Sequence, residues 1–305
     1  MTIFFSALLA CDTAQRPLLV DEAPNIVLVF VQGVAPEAPE GVERTIGLSA
    51  AVDDPTKGVD AALASAFEPS GESNTLPKVL NLYGYTSAAD FPTESATRLG
   101  FQASQSQDWV ASAAEPFLWV SATRDGAATE TYAAVEQDLR AAGRLDRTLV
   151  AFVWTDGWDK PAPSWWRGPG TPPPLADGAV ASTLDITPTL LATGKATVPS
   201  DASGASLATV TGGRRVAFGH GSGTFVVQSS EARLSVEGPD PIPRTMPVGA
   251  VYTDSTGSRP AEGAQAEDLY SALLGWRIRE NAVGARSRMG AEQFDTLNAE
   301  AGYWR

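Results

Sequence analysis

The chain has 305 residues, 43% of them hydrophobic, enough to bury a core in one large domain or a large domain with a small partner. A net charge of −14, from 22 Lys and Arg against 36 Asp and Glu with no basic run, argues against a nucleic-acid-binding surface. One cysteine, Cys11, excludes an internal disulfide and any paired-cysteine metal site, and one histidine, His220, excludes every site that needs two.

Residues 3–10 form an apolar run too short to span a bilayer, and they read as the hydrophobic part of a signal peptide. Ending in Leu8-Leu-Ala-Cys11, the segment 1–11 resembles a bacterial lipoprotein signal with Cys11 as the lipidated residue. The alternative is a chance apolar terminus with a buried thiol. No other stretch reaches about 18 apolar residues, so membrane attachment is expected only through the lipid anchor. Residues 12–23 read as a tether.

Asn25-Ile-Val-Leu-Val-Phe-Val31 is a β-branched run suited to a strand buried on both faces, and Gln32-Gly33 ends it. Residues 35–71, rich in Ala, Pro and Gly, read as loop with one short helix near 59–66. Leu76, Val79, Leu80 and Tyr83 share one helix face, with Thr75 as cap and Gly84 as stop. Residues 116–121 and 148–154 read as second and third buried strands, separated by a helix over 131–142 that Gly143 stops. This alternation of strands and helices predicts a mainly parallel sheet with helices on both faces. Residues 161–174 hold six prolines and read as a long surface loop. Asp185 is expected to cap a helix over 186–193 that ends at Gly194.

After Gly213 the pattern changes to short strands at hairpin spacing, 215–219, 224–228 and 233–237. His220 falls in Gly219-His-Gly-Ser-Gly223, which reads as a hairpin turn with a solvated histidine. A helix over 264–282 has Leu269, Leu273, Trp276 and Ile278 as its apolar residues, and a last short helix carries Phe294 and Leu297. The chain thus divides into an α/β domain at 24–212 and a subdomain of antiparallel strands and helices at 213–305.

Several segments in this order resemble the sulfatase family of the alkaline-phosphatase superfamily. Pro24-Asn-Ile-Val-Leu-Val-Phe30 is similar to the family's opening strand. Leu76-Pro-Lys-Val-Leu-Asn-Leu-Tyr-Gly-Tyr-Thr-Ser87 is similar to its helix ending in Gly-Tyr-Thr. Gly100-Phe101, Glu115-Pro-Phe-Leu-Trp-Val120 and Gly143-Arg-Leu-Asp-Arg-Thr-Leu-Val150 also fit. Asp185-Ile-Thr-Pro-Thr-Leu-Leu-Ala-Thr-Gly194, followed by Gly204-Ala-Ser-Leu207, is the most specific match. Glu292-Gln-Phe-Asp-Thr-Leu-Asn-Ala-Glu-Ala-Gly-Tyr303 resembles the close of many bacterial members. The resemblance implies an alkaline-phosphatase-like three-layer sandwich, α/β, with a small C-terminal antiparallel sheet.

It also implies a chemistry that this sequence lacks in most of its parts. The family holds calcium or a similar hard cation among carboxylate and amide oxygens, next to a formylglycine made from a Cys/Ser-x-Pro-x-Arg motif. Lys and His residues then neutralise the sulfate and protonate the leaving group. The first strand should deliver two aspartates, and Gln32 and Gly33 stand there. The third should deliver Asp-Asn or Asp-His before Gly157, and Thr155 and Asp156 stand there. A site with Asp156 as its one carboxylate would hold calcium at roughly millimolar affinity. Asp156 is therefore either the last ligand of a degenerate metal site or a polar strand-end residue. The nearest stand-in for the nucleophile motif is Phe67-Glu-Pro-Ser-Gly71, with Phe at the nucleophile. Trp154, Trp158, Trp165 and Trp166 read either as packing for the proline-rich loop or as an aromatic platform for a sugar or peptide. The expected protein is a catalytically inactive sulfatase homologue in a bacterial cell envelope that binds a glycan or an envelope protein. The alternative is an active sulfuric- or phosphoric-ester hydrolase with a remodelled site.

Overall fold

In the computed structural model the described residues are 23–66, 73–200, 202–210, 215–238 and 242–289. Cys11 and its segment, most of the tether, residues 67–71, the expected boundary at 212–213 and the last helix with Phe294 and Leu297 lie outside them.

The chain begins with β1 (Asn25–Gln32), β2 (Arg44–Ser49), α1 (Pro55–Ala64), α2 (Leu76–Leu82), β3 (Thr86–Ala89), α3 (Thr93–Leu99) and β4 (Ala103–Ser104). There follow β5 (Phe117–Arg124), α4 (Asp125–Ala141), β6 (Thr148–Trp154), β7 (Ala162–Arg167), β8 (Ala181–Ser182), α5 (Ile186–Thr193) and α6 (Leu207–Val210). The last elements are β9 (Ala217–Gly221), β10 (Thr224–Gln228), β11 (Ala232–Glu237), β12 (Val251–Asp254), β13 (Gly257–Pro260) and α7 (Ala264–Met289). The first eight strands form one sheet in the order β4-β3-β5-β1-β6-β7-β2-β8, and the last five form an antiparallel sheet, β13-β12-β11-β10-β9.

The three strands expected from their β-branched runs lie side by side at the centre, β1 parallel to both β5 and β6. Side chains on a strand alternate between faces. Ile26, Leu28 and Phe30 therefore pack with Leu63, Leu80, Ile186 and Leu190 on one face. Val27, Val29 and Val31 pack with Tyr132, Val135 and Leu139 of α4 on the other. Each such buried side chain stabilises the fold by roughly 1.5–3 kcal/mol, which is why the run tolerates no polar residue until Gln32. A third cluster joins Phe225, Val227, Leu234 and Val236 of the small sheet to Leu269, Leu273 and Trp276 of α7.

The amino ends of the three central strands are tied by polar groups. Buried Asn25 donates to Glu115 Oε1 (3.3 Å) and Thr148 Oγ1 (3.4 Å), and it accepts the Phe117 amide (3.3 Å). Glu115 also pairs with Arg144 (3.4 Å) and Arg147 (2.9 Å). Arg144 Nη1 donates to the Val110 and Ala113 carbonyls.

Several expectations are corrected. The proline-rich stretch is not all loop, because β7 runs through it between β6 and β2. Pro163 is accommodated because β6 pairs only from Ser164 onward, leaving the proline paired on the β2 side alone. Residues 35–71 contain β2, whose Ile46 and Leu48 are buried, and the helix there is Pro55–Ala64 rather than 59–66. The helix placed at 131–142 starts earlier, at Asp125. Thr75 does not cap α2 with its side chain; its hydroxyl donates to the Leu99 carbonyl. Asp185 does not cap α5 either. Its carboxylate accepts the amides of Ser182 (2.7 Å) and Ala205 (2.9 Å), tying the start of α5 to the Gly204–Leu207 segment. Ile278 is 70% exposed, so the apolar face of α7 ends at Trp276.

Candidate functional site at the carboxyl ends of the central strands

In open α/β sheets ligands collect outside the carboxyl ends of the strands. Parallel pairing brings Gln32 opposite Arg124 at the end of β5, and Val31 opposite Trp154 at the end of β6. The ladder continues one step further, since the Thr155 amide donates to the Val31 carbonyl (3.0 Å). The four positions singled out by the family resemblance, Gln32, Gly33, Thr155 and Asp156, therefore share one edge of the sheet.

Two of them, Thr155 and Asp156, bond to backbone groups of the β1 end. The Asp156 carboxylate accepts the Gly33 amide, bridging the ends of β1 and β6. The Thr155 hydroxyl donates to the Val31 carbonyl (3.3 Å). Gly33 has φ of +109°, a backbone region that side chains other than hydrogen seldom adopt. A calcium ion takes six to eight oxygen ligands, carboxylates first among them. Here the four positions offer one carboxylate, on Asp156, two neutral side-chain oxygens, on Gln32 and Thr155, and none from Gly33. Among the described residues no three His, Cys, Asp or Glu side chains converge on a common point. This donor set does not fit the family's cation.

These strand ends border an open cleft of about 930 Å³. Gln32, Gly33 and Asp156 line its floor, Arg124 and Lys160 supply charge, and Pro36, Pro55, Pro161 and Pro163 stiffen its rim. Arg124 and Lys160 are exposed, and among the described residues neither pairs with a carboxylate.

One segment near the cleft escaped sequence reasoning. Asp53-Asp54-Pro55-Thr56-Lys57 has the spacing of the Cys/Ser-x-Pro-x-Arg motif, with Asp at the nucleophile and Lys at the arginine. Pro55 opens α1 and lines the cleft. A proline at the first helical position, followed by buried Val59, Ala62 and Leu63, was the available signal. The substitution, not the spacing, hid it.

The aromatic residues divide. Trp165 and Trp166 are 1% and 0% exposed, so they are core and not a platform. Their burial follows from β7 being an interior strand. Trp154 is fully buried, at 4.5 Å between ring centroids from Trp165. Trp158 is half-buried beside the cleft rim, under the Arg233 guanidinium (5.3 Å from Cζ to the ring centroid). His220 is not in a turn. It lies in β9, with its ring stacked on Phe225 of the neighbouring strand at 4.2 Å, while Ser222 and Gly223 form the turn.

No protein-family model and no curated protein matches the chain. Solved structures do match. One, a protein of the alkaline phosphatase superfamily from Vibrio parahaemolyticus, has a TM-score of 0.62 at 12% identity, covering 87% of this chain and 88% of that one. The lipoteichoic acid synthase LtaP from Listeria monocytogenes has a TM-score of 0.58 at 11% identity, covering 86% and 93%. BT4656, solved with its substrate D-glucosamine-2-N,6-O-disulfate, has a TM-score of 0.58 at 12% identity, covering 85% and 98%. The fold is that of the alkaline-phosphatase superfamily, in the arrangement found in sulfatase structures. At these identities the likeness establishes architecture alone.

Proposed function

We propose that the protein is a sulfatase-like pseudoenzyme that holds an anionic glycan in its cleft without cleaving it. The observation that carries this reading is the donor set at the strand ends, where Gln32, Gly33 and Thr155 bring no carboxylate beside Asp156. Losing a single electrostatic stabiliser costs roughly 100- to 1000-fold in rate, and groups that act as a unit fail together. Arg124 and Lys160 favour an anionic occupant. The disulfated glucosamine bound by BT4656 supports a glycan in particular. Purified protein with calcium, magnesium or zinc is expected to show no arylsulfatase or phosphatase turnover, while titration with a heparin-derived hexasaccharide gives saturable binding. Absence of binding would sink the glycan reading.

The placement in a cell envelope rests on the lipoprotein-like segment ending in Cys11. Cys11→Ala is expected to move the protein out of the membrane fraction of its host, and unchanged fractionation counts against the anchor. Among the described residues no helix is long and apolar enough to cross a membrane.

One observation favours an ester hydrolase instead, namely the carboxylate of Asp53 at the nucleophile position of the motif spacing. Metal-dependent turnover that disappears in Asp53→Ala and in Asp156→Ala would establish that reading and overturn the pseudoenzyme.

A further inference from the structure

The Gly219-His-Gly segment has no part in the chemistry above, yet it touches two loops that lead into the cleft. It forms β9, the strand of the small sheet that lies nearest the large one. Residues two apart in a strand share a face, so Gly219 and Gly221 point the same way. A Cβ on Gly219 would stand 2.8 Å from the Trp158 ring and 3.2 Å from the Ala50 carbonyl. A Cβ on Gly221 would stand 2.1 Å from the Asp53 carboxylate. The contacts at 2.1 and 2.8 Å are shorter than side chains tolerate, so Asp53 and Trp158, of the loops 50–54 and 157–160, rest directly on β9. The His220 amide fastens the first loop by donating to the Ala51 carbonyl (2.8 Å).

Arg233 of β11 fastens the second loop. Its side chain is 11% exposed and donates to the Trp158 carbonyl and to Asp159 Oδ1 (3.0 Å). Its guanidinium also covers the Trp158 indole. Beyond these two anchored loops the chain enters the cleft directly, at Pro55 on one wall and at Lys160 and Pro161 on the other.

We infer that the small sheet sets the width of the cleft, with Arg233 and Trp158 as positioning residues and the two β9 glycines as the seats of its walls. The small sheet is then part of the binding site, although among the described residues none of its side chains lines the cleft. The proposal rests on the reading of the cleft as a ligand site. It adds that affinity is controlled from a strand outside it.

Hydrogen exchange on the full chain tests the clamp without any ligand. Arg233→Ala is expected to speed exchange of the amides of residues 157–160 at least tenfold and to leave those of 25–31 unchanged. Gly219→Ala, which pushes on the same indole, is expected to do likewise, and Arg233→Lys, which keeps a donor for Asp159, to show less than half the effect. Binding of the heparin-derived hexasaccharide is expected to weaken about fivefold or more in Arg233→Ala. Unchanged exchange at 157–160, or a uniform rise that includes 25–31, would overturn the proposal. So would unchanged binding in a variant whose loop exchange has risen. If wild-type protein does not bind the hexasaccharide but the local rise is seen, the positioning role stands and the glycan reading fails.

Discussion

The two ends of the central sheet are built from the same three strands and differ in how their charges are spent. At the amino end Asn25, Glu115, Arg144, Arg147 and Thr148 are joined to one another and to backbone groups. At the carboxyl end Arg124 and Lys160 face a cleft with no carboxylate partner among the described residues, and Asp156 is turned onto a backbone amide. A satisfied polar network rigidifies a fold, whereas unspent charge around a concavity is free to meet a ligand. On the proposed reading of the cleft, structure and recognition are divided along the strand axis.

The largest test of that division lies at the amino end. Asn25→Leu removes both donors and the acceptor, leaving the Glu115 carboxylate and the Phe117 amide short of partners. Buried polar groups left unpaired cost about 1–3 kcal/mol each. Denaturant unfolding is therefore expected to show a loss of about 2–4 kcal/mol, with hexasaccharide affinity of the folded fraction unchanged. A stable variant with altered affinity would break the comparison. The opposite result is expected at the carboxyl end. Arg124→Ala with Lys160→Ala should change stability by less than about 0.5 kcal/mol, as for exposed positions generally, and weaken the hexasaccharide at least tenfold, about 1.4 kcal/mol. The smallest effect sharpens the same point. In Asp156→Asn the amide oxygen still accepts from Gly33, so stability should fall by about 1 kcal/mol or less. Removal of one negative charge from the floor should then tighten the anionic ligand about twofold. A calcium-induced rise in Tm that vanishes in this variant would instead mark Asp156 as a cation ligand.

How much was legible in the sequence varied with how each element is buried. The strands β1, β5 and β6 are buried on both faces, so their apolar runs named them directly. The strand β7 was hidden by Pro161 and Pro163, because a rule about missing amides does not reveal that one side of a strand may have nothing to pair with. Misreading it as loop carried Trp165 and Trp166 to the surface, when interior pairing buries both. The strand β2 was masked by its surroundings of Ala, Pro and Gly, although Ile46 and Leu48 alternate as a half-buried strand should. At the cleft, Gln32, Gly33, Thr155 and Asp156 were singled out by the family resemblance, and the strand runs before them put them at one edge of the sheet. The contribution of Arg124 and Lys160 could not, since nothing in their local sequence separates them from ordinary surface charge. The β9 glycines were noticed but explained by turn geometry. Their real constraint comes from loops more than fifty residues away in sequence, and only a tertiary contact reveals it.

The conformation of Gly33 makes the present arrangement hard to undo. Restoring an aspartate there would ask a branched, charged side chain to occupy a backbone region that costs non-glycine residues of the order of 1–3 kcal/mol. The backbone amide at position 33 would still hold one oxygen of the Asp156 carboxylate. Backbone and side chain would have to change together, so intermediate sequences would carry the strain before gaining a cation. What this edge of the sheet can hold is thus set by the shape of the main chain at Gly33 as well as by the side groups around it.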